Sequence, residues 1–166
     1  MQERAGLVGG QFTLRSAPGH GTTITVNVPY ERNGSTSRPR FLVADDHETM
    51  RYMLRRFLEP DYPVVAEAAN GREAIEAAEQ LRPDIALLDV SMPLMSGFEA
   101  ARVLRERMPE IRIIFASQHA EAHYVEEAFR LGAHGYVSKK AASTELPEAV
   151  RVVLAGGVFR SPLIED

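Results

Sequence analysis

The chain has no cysteine among its 166 residues, which excludes disulfides, zinc–thiolate centres and thiol nucleophiles. That absence fits the cytoplasm, the compartment expected here. No apolar run approaches the ~20 residues that a bilayer-crossing helix requires, so no membrane association is expected. The first ten residues, MQERAGLVGG, lack the long apolar core of a secretory leader. Positive charge is in short supply: 19 Lys and Arg against 23 Asp and Glu give a formal net charge of -4. This balance argues against direct nucleic-acid binding by this chain, and any DNA regulation is expected to run through another chain or domain. What remains, 45% apolar and 25% charged, is the composition of one globular domain with an appendage.

Residues 31–39 (ERNGSTSRP) are polar and aperiodic and read as a linker. They separate a head, residues 1–30, from a body over 40–161, with a short tail at 162–166. The body alternates two kinds of pattern. Residues 41–44 (FLVA), 64–66 (VVA), 84–88 (DIALL), 112–116 (RIIFA) and 135–138 (GYVS) read as strands. Met50, Met53, Leu54, Phe57 and Leu58 share one helical face, and Glu59-Pro60 stops that first helix. Asn70 with Glu73 is a capping signal for a second helix whose buried face is Ala74, Ile75, Ala78 and Leu81. Gly97 to Met108 and Ala120 to Leu131 read as the third and fourth helices, the latter closed by Gly132. Leu146, Ala149, Val150, Val153 and Leu154 mark the fifth, with Pro147 early enough to be tolerated.

Five β/α repeats predict a three-layer α/β fold with a five-stranded parallel sheet, in the flavodoxin-like order 2-1-3-4-5. In such a sheet the site lies at the carboxyl ends of the strands. Polar groups gather there: Asp45 and Asp46 after the first strand, Asp89 after the third, Ser117 at the end of the fourth and Lys139 after the fifth. Crowded carboxylates raise one another's pKa values unless a cation joins them. Magnesium, a hard ion taking oxygen ligands, is the expected partner. An anionic nucleophile beside a divalent ion, a lysine and a hydroxyl is the equipment of phosphoryl transfer.

The segments ADDH (44–47), LLDVSMP (87–93), FASQH (115–119) and GYVSKK (135–140) resemble, in order and spacing, the motifs of bacterial response-regulator receiver domains. EAANGREAIE (67–76), LGAHGYVSK (131–139) and AGGVFRSP (155–162) give the match a NarL/FixJ-like texture, covering about 40–161. The resemblance implies that Asp89 is the phosphoacceptor. It implies magnesium, with manganese as a substitute, held by Asp45, Asp46, Asp89 and the Ser91 backbone carbonyl. Lys139 would pair with the phosphoryl group, Ser117 would move to bond it, and Tyr136 would be the switch aromatic. The donor would be a histidine kinase or phosphotransfer protein. The output face would be the fourth helix, fifth strand and fifth helix, with a homodimer through that face or through the N-terminal hairpin left open. Such a protein catalyses only its own phosphorylation and dephosphorylation. Relatives usually continue into a helix-turn-helix domain, which is not expected before Asp166. Gln118 and Lys140 stand where the family often has a small residue and a proline; Gln118 is expected to narrow the approach to Asp89.

Two rivals remain. An aspartate-nucleophile phosphatase would want a D-x-D pair on one strand, which is missing. A pseudo-receiver that never takes phosphate is opposed by the complete Asp/Asp/Asp/Ser/Lys set. Blander readings weigh on single residues: an Asp pair often marks a helix N-terminus, and Tyr136 on an edge-side strand is often packing. His47, His119, His123 and His134 form no metal-ligand pattern and are read as solvated.

In the head, Phe12 and Leu14, then Ile24, Val26 and Val28, alternate with polar residues around Ala17-Pro-Gly-His20, which predicts a β-hairpin. MQERAGLVGG (1–10) and SAPGHGTTITVNVP (16–29) resemble the last stretch of a sensor histidine kinase ATP-binding domain. That resemblance implies a hybrid-kinase fragment or a start site inside a kinase gene. The family's adenine- and magnesium-binding boxes are missing, so no ATP binding is expected.

Overall fold

In the computed structural model of the chain, residues 11–17, 21–27 and 38–164 are described. The chain divides into two compact units, Met1–Ser37 and Arg38–Asp166. In the first, β1 (Gln11–Ala17) and β2 (Gly21–Asn27) pair antiparallel, with Phe12 opposite Val26 and Leu14 opposite Ile24. This antiparallel pairing is the expected hairpin. Residues 1–10, 18–20, 28–30 and the linker residues 31–37 lie outside the described residues. Much of the kinase-like stretch falls there.

The second unit alternates strand and helix as expected. Its elements are β3 (Phe41–Ala44), α1 (Glu48–Leu58), β4 (Val64–Ala68), α2 (Gly71–Leu81), β5 (Ile85–Leu88), α3 (Gly97–Arg107) and β6 (Arg112–Ser117). Then follow α4 (Ala122–Arg130), β7 (Gly135–Ser138), α5 (Ala142–Leu154) and β8 (Phe159–Arg160). The sheet order is β4-β3-β5-β6-β7-β8, every pairing parallel. The first five strands reproduce the flavodoxin-like order. The sixth is a correction: β8 joins β7 through Gly135 opposite Phe159 and Tyr136 opposite Arg160. β7 is therefore an interior strand where it carries Tyr136.

Strand alternation sorts the core into two layers. Leu42, Ala44, Ala86, Leu88, Ile113, Phe115 and Tyr136 point to the side covered by α2, α3 and α4. Phe41, Val43, Ile85, Leu87, Ile114, Ala116 and Val137 point to the side covered by α1 and α5. β3, β5 and β7 are buried at every position, as strands covered on both faces require.

The helix boundaries follow local chemistry. The Asn70 side chain accepts the Glu73 N–H, capping α2 as expected. Ser96 and Glu99 form a complete capping box on α3. Gly132, at φ +86°, takes the left-handed position after α4. α5 begins at Ala142, so Pro147 sits in its second turn and leaves the exposed Ser143 carbonyl without its intrahelical donor. Two expected core positions are corrected: Met53 and Leu81 are 42% and 39% exposed. Each lies at the margin of its helix's apolar stripe, where the curved surface turns toward water. Among the described residues no helix is long and apolar enough to cross a membrane.

Candidate functional site

Two backbone bonds prolong the ladder past the strands and set the site. The Asp45 N–H donates to Ala68 O at 3.0 Å, and the Asp89 N–H donates to Ala44 O at 2.8 Å. The two aspartates are thereby fixed side by side at the carboxyl rim of the central strands. Ser117 and Ser138 are register partners at the same rim, and Lys139 follows directly. Its ammonium lies 2.6 Å from Asp45 Oδ2 and 2.8 Å from Asp89 Oδ2, bridging two carboxylates. Asp45, Asp89 and Lys139 are all buried. The close Lys139–Asp45 contact misses hydrogen-bonding angles, so Asp45 Oδ2 is held by charge alone and has no hydrogen-bond partner.

Burial pushes the Asp89 carboxyl above its ordinary value; the Lys139 hydrogen bond and charge pull it back, and the Asp45 charge pushes the same way as burial. An acid pair this crowded is short of positive charge. On the outer side of Asp45, its Oδ1 accepts the His47 N–H at 2.9 Å, while His47 Nδ1 is 2.9 Å from the more exposed Asp46 Oδ1. Ligand atoms of Asp45, Asp46 and His47 lie within 4.8 Å of one another. His47 is exposed, as expected, while its ring nitrogen faces the acidic cluster. A buried carboxylate oxygen without a hydrogen bond, next to a partly open one, fits a hard divalent cation. Asp89 reaches this cluster through the Lys139 bridge.

The rim above Asp89 is closed by side chains from two loops. The Ser91 N–H points at Asp89 Oδ1 over a long 3.5 Å, and Ser91 itself is exposed. Ser91 Oγ and His119 Nε2 share a hydrogen bond of 3.0 Å. The His119 N–H donates to Ser117 Oγ at 3.1 Å, and its carbonyl accepts the Tyr136 hydroxyl at 2.8 Å. Its ring stacks on Tyr124 at 4.2 Å between centroids. His119 is therefore a half-buried junction, a correction to the solvated reading. Tyr136 is turned fully inward, and burial pushes its phenol above the ordinary value. His134 is the second correction: half-buried, it accepts the Ile113 N–H on Nδ1 at 3.1 Å. His123 is exposed, as expected, with its ring tilted against Tyr124. Gln118 is exposed too.

Three contributors went unnoticed in the sequence. Arg51 donates from α1 to the Asp45 carbonyl at 2.6 Å. Gly97 allows α3 to start against the Asp89 carbonyl. Glu145 accepts the N–H of Ser138, next to Lys139, at 3.0 Å. Arg51 and Glu145 carry no local signal, since charged residues in a first or second helical turn read as solvated. Gly97 at a helix start was the one legible hint.

Comparison with known proteins agrees with this geometry. Residues 41–151 match the response regulator receiver domain family. The chain is 36% identical over 127 residues to the transcriptional regulatory protein DegU of Brevibacillus brevis, covering 75% of this chain and 54% of that protein. It is 36% identical over 127 residues to the response regulator GacA of Pseudomonas viridiflava, covering 75% and 59%. It thus spans a little over half the length of these curated relatives. A crystal structure of a LuxR-family two-component response regulator from an Aurantimonas species superposes with TM-score 0.73 at 38% identity, covering 77% of this chain and 93% of that one. The signal receiver domain of the response regulator NarL from Mycobacterium tuberculosis gives TM-score 0.68 at 34% identity, covering 72% and 98%. A flavodoxin-like sheet, an acidic rim bridged by a buried lysine and these relatives agree: the chain belongs to the response regulator receiver domains of two-component systems.

Proposed function

We propose that this receiver accepts a phosphoryl group on Asp89 from a histidine kinase or phosphotransfer protein, with magnesium, and that the resulting acyl phosphate biases the surface of α4, β7 and α5. The observation that supports this most is the Lys139 ammonium between two buried carboxylates, 2.6 and 2.8 Å away. Asp45, Asp46, Asp89 and the Ser91 carbonyl would hold the metal. Bound magnesium supplies positive charge against the phosphoryl oxygens and against the crowded acids.

The chain's own groups do the rest. An Asp89 carboxylate oxygen attacks phosphorus, the donor's N–P bond breaks, and the imidazole keeps the electron pair and takes a proton. Lys139 leaves its bridging position for a phosphoryl oxygen. Ser117, whose hydroxyl accepts the His119 N–H, turns its own proton to another. That bond ties Ser117 to the residue whose carbonyl receives Tyr136, which links the pocket to an inward aromatic. Turnover of an external substrate is not part of this reading.

In the same proposal, residues 1–30 are a kinase-derived head, 31–39 a linker, 40–161 the receiver and 162–166 a tail, in a cytoplasmic protein. The names of the relatives suggest an output in transcription, exerted through segments other than this receiver. The test is incubation with acetyl phosphate and magnesium, followed by intact mass. Wild type should transiently gain one phosphoryl group and Asp89→Ala none; a gain in both would move the acceptor elsewhere.

A further inference from the structure

Glu145 is a buried carboxylate that the chemistry at Asp89 leaves unused. It sits in the first turn of α5 and is 6% exposed. A buried carboxylate is costly unless its oxygens are bonded, and both are. Oε2 accepts the Ser138 N–H at 3.0 Å and Oε1 accepts the Ser161 hydroxyl at 2.8 Å. Ser138 ends β7 and precedes Lys139. Ser161 follows β8, donates its N–H to the Tyr136 carbonyl at 2.9 Å, and accepts the Leu163 N–H on Oγ at 3.2 Å. One carboxylate therefore fixes the amide beside the pocket ammonium and, with its other oxygen, the residue where the chain leaves the sheet.

We infer that Glu145 is a positioning residue for Lys139 and that its bond to Ser161 makes residues 159–164 respond to what the pocket holds. The inference rests on the phosphoacceptor reading and adds to it a route by which occupancy is felt outside the α4–β7–α5 surface. Lys139 drawn from its bridge toward a phosphoryl group pulls on the Ser138–Lys139 peptide. The Glu145 side chain follows that amide, and the Ser161 hydroxyl follows the side chain. Because the Ser161 N–H also hangs on Tyr136, a shift of β7 and a shift of Lys139 reach the same residue.

The full chain tests this with two readouts. Acetyl phosphate uptake with magnesium, followed by intact mass, measures positioning: Glu145→Ala should lower the maximal rate roughly tenfold with little change in half-saturation, as for a displaced catalytic group. Glu145→Gln, which keeps an acceptor for Ser138, should stay within about threefold of wild type, since one neutral hydrogen bond replaces a charged one. Hydrogen–deuterium exchange with magnesium and beryllofluoride, a phosphoryl mimic, measures the route. Residues 159–164 should change exchange in wild type, and Ser161→Ala should abolish the change while taking up phosphate at the wild-type rate.

Wild-type uptake by Glu145→Ala, or an exchange response in Ser161→Ala equal to wild type, would overturn the proposal. So would a wild-type protein that is phosphorylated on Asp89 without any response at 159–164. If Glu145→Ala loses its circular dichroism, Ser161→Ala and Glu145→Gln decide alone. Failure of wild type to gain any phosphoryl group would instead bring down the phosphoacceptor reading beneath it.

Discussion

Gly97 starts α3 so close to Asp89 that a Cβ added there would lie 1.9 Å from the Asp89 carbonyl oxygen. The Gly97 N–H also donates to Val90 O at 3.0 Å, holding the helix end down on the strand end. Gly97→Ala must therefore move backbone, either the helix or the aspartate. We expect a loss of about 1–3 kcal/mol in urea unfolding, in the range for overpacking, and a weaker magnesium-dependent change in unfolding midpoint. Gly156→Ala is the control. It has φ +87° and open space around the added atom, so it should cost only about 1–2 kcal/mol of left-handed strain and leave the metal response intact.

Lys139 neutralises two acids at once, so its removal exposes their repulsion. In divalent-free buffer at neutral pH, Lys139→Ala should destabilise by about 3–5 kcal/mol, the cost of breaking a buried ion pair. Magnesium should restore part of that loss, because it supplies charge in the same place. Equal stability of wild type and variant without metal, by urea titration, would contradict the bridge.

The Asp89 carboxyl is pushed up in the folded chain, chiefly by burial. A raised carboxylate binds its proton more tightly folded than unfolded. Its contribution to stability is therefore greatest at low pH and declines as pH rises from the ordinary carboxylate range through the raised folded value. Metal-free wild type should show this decline and Asp89→Asn should not, so the variant should be the more stable at neutral pH. Thermal unfolding across pH in the presence of a chelator checks it.

His134 runs the opposite way. Burial lowers its pKa from 6.5, with Arg105 and Arg112 adding to the effect. Protonation would also take Nδ1 away from the Ile113 N–H. Stability should hold above pH 6.5 and fall as pH drops from there toward the lower folded value. His134→Ala should lose that slope and cost about 1–3 kcal/mol, since a buried amide is left without a partner. Chemical unfolding at several pH values reads both effects.

Much of the site was legible because each of its residues terminates an apolar run. Asp45 and Asp89 are the first polar groups past their strands, Asp46 follows Asp45, Ser117 closes its strand and Lys139 comes one residue after Ser138, and parallel topology collects such ends on one rim. The features that escaped are long-range or small. β8 has two residues, too few for any periodicity to show. The Glu145 carboxylate is held by Ser161, far along the chain beyond β8, and nothing local to its helical turn marks it as buried. His134 is held by Ile113, 21 residues away, and nothing local announces that bond. Met53 and Leu81 fit the helical spacing, but a spacing rule assigns a face and does not measure how far the opposing layer extends.

The two residues of β8 also have a bearing on solubility. Phe159 and, just past the strand, Ser161 donate to the carbonyls of His134 and Tyr136, which would otherwise help form a bare, apolar template for strand addition. Being so short, and followed at once by Ser161-Pro162, β8 offers an incoming strand little to pair with in turn. Polypeptides cut before Phe159 should for that reason self-associate, and preparations of this receiver are best kept soluble by retaining the chain through Ser161.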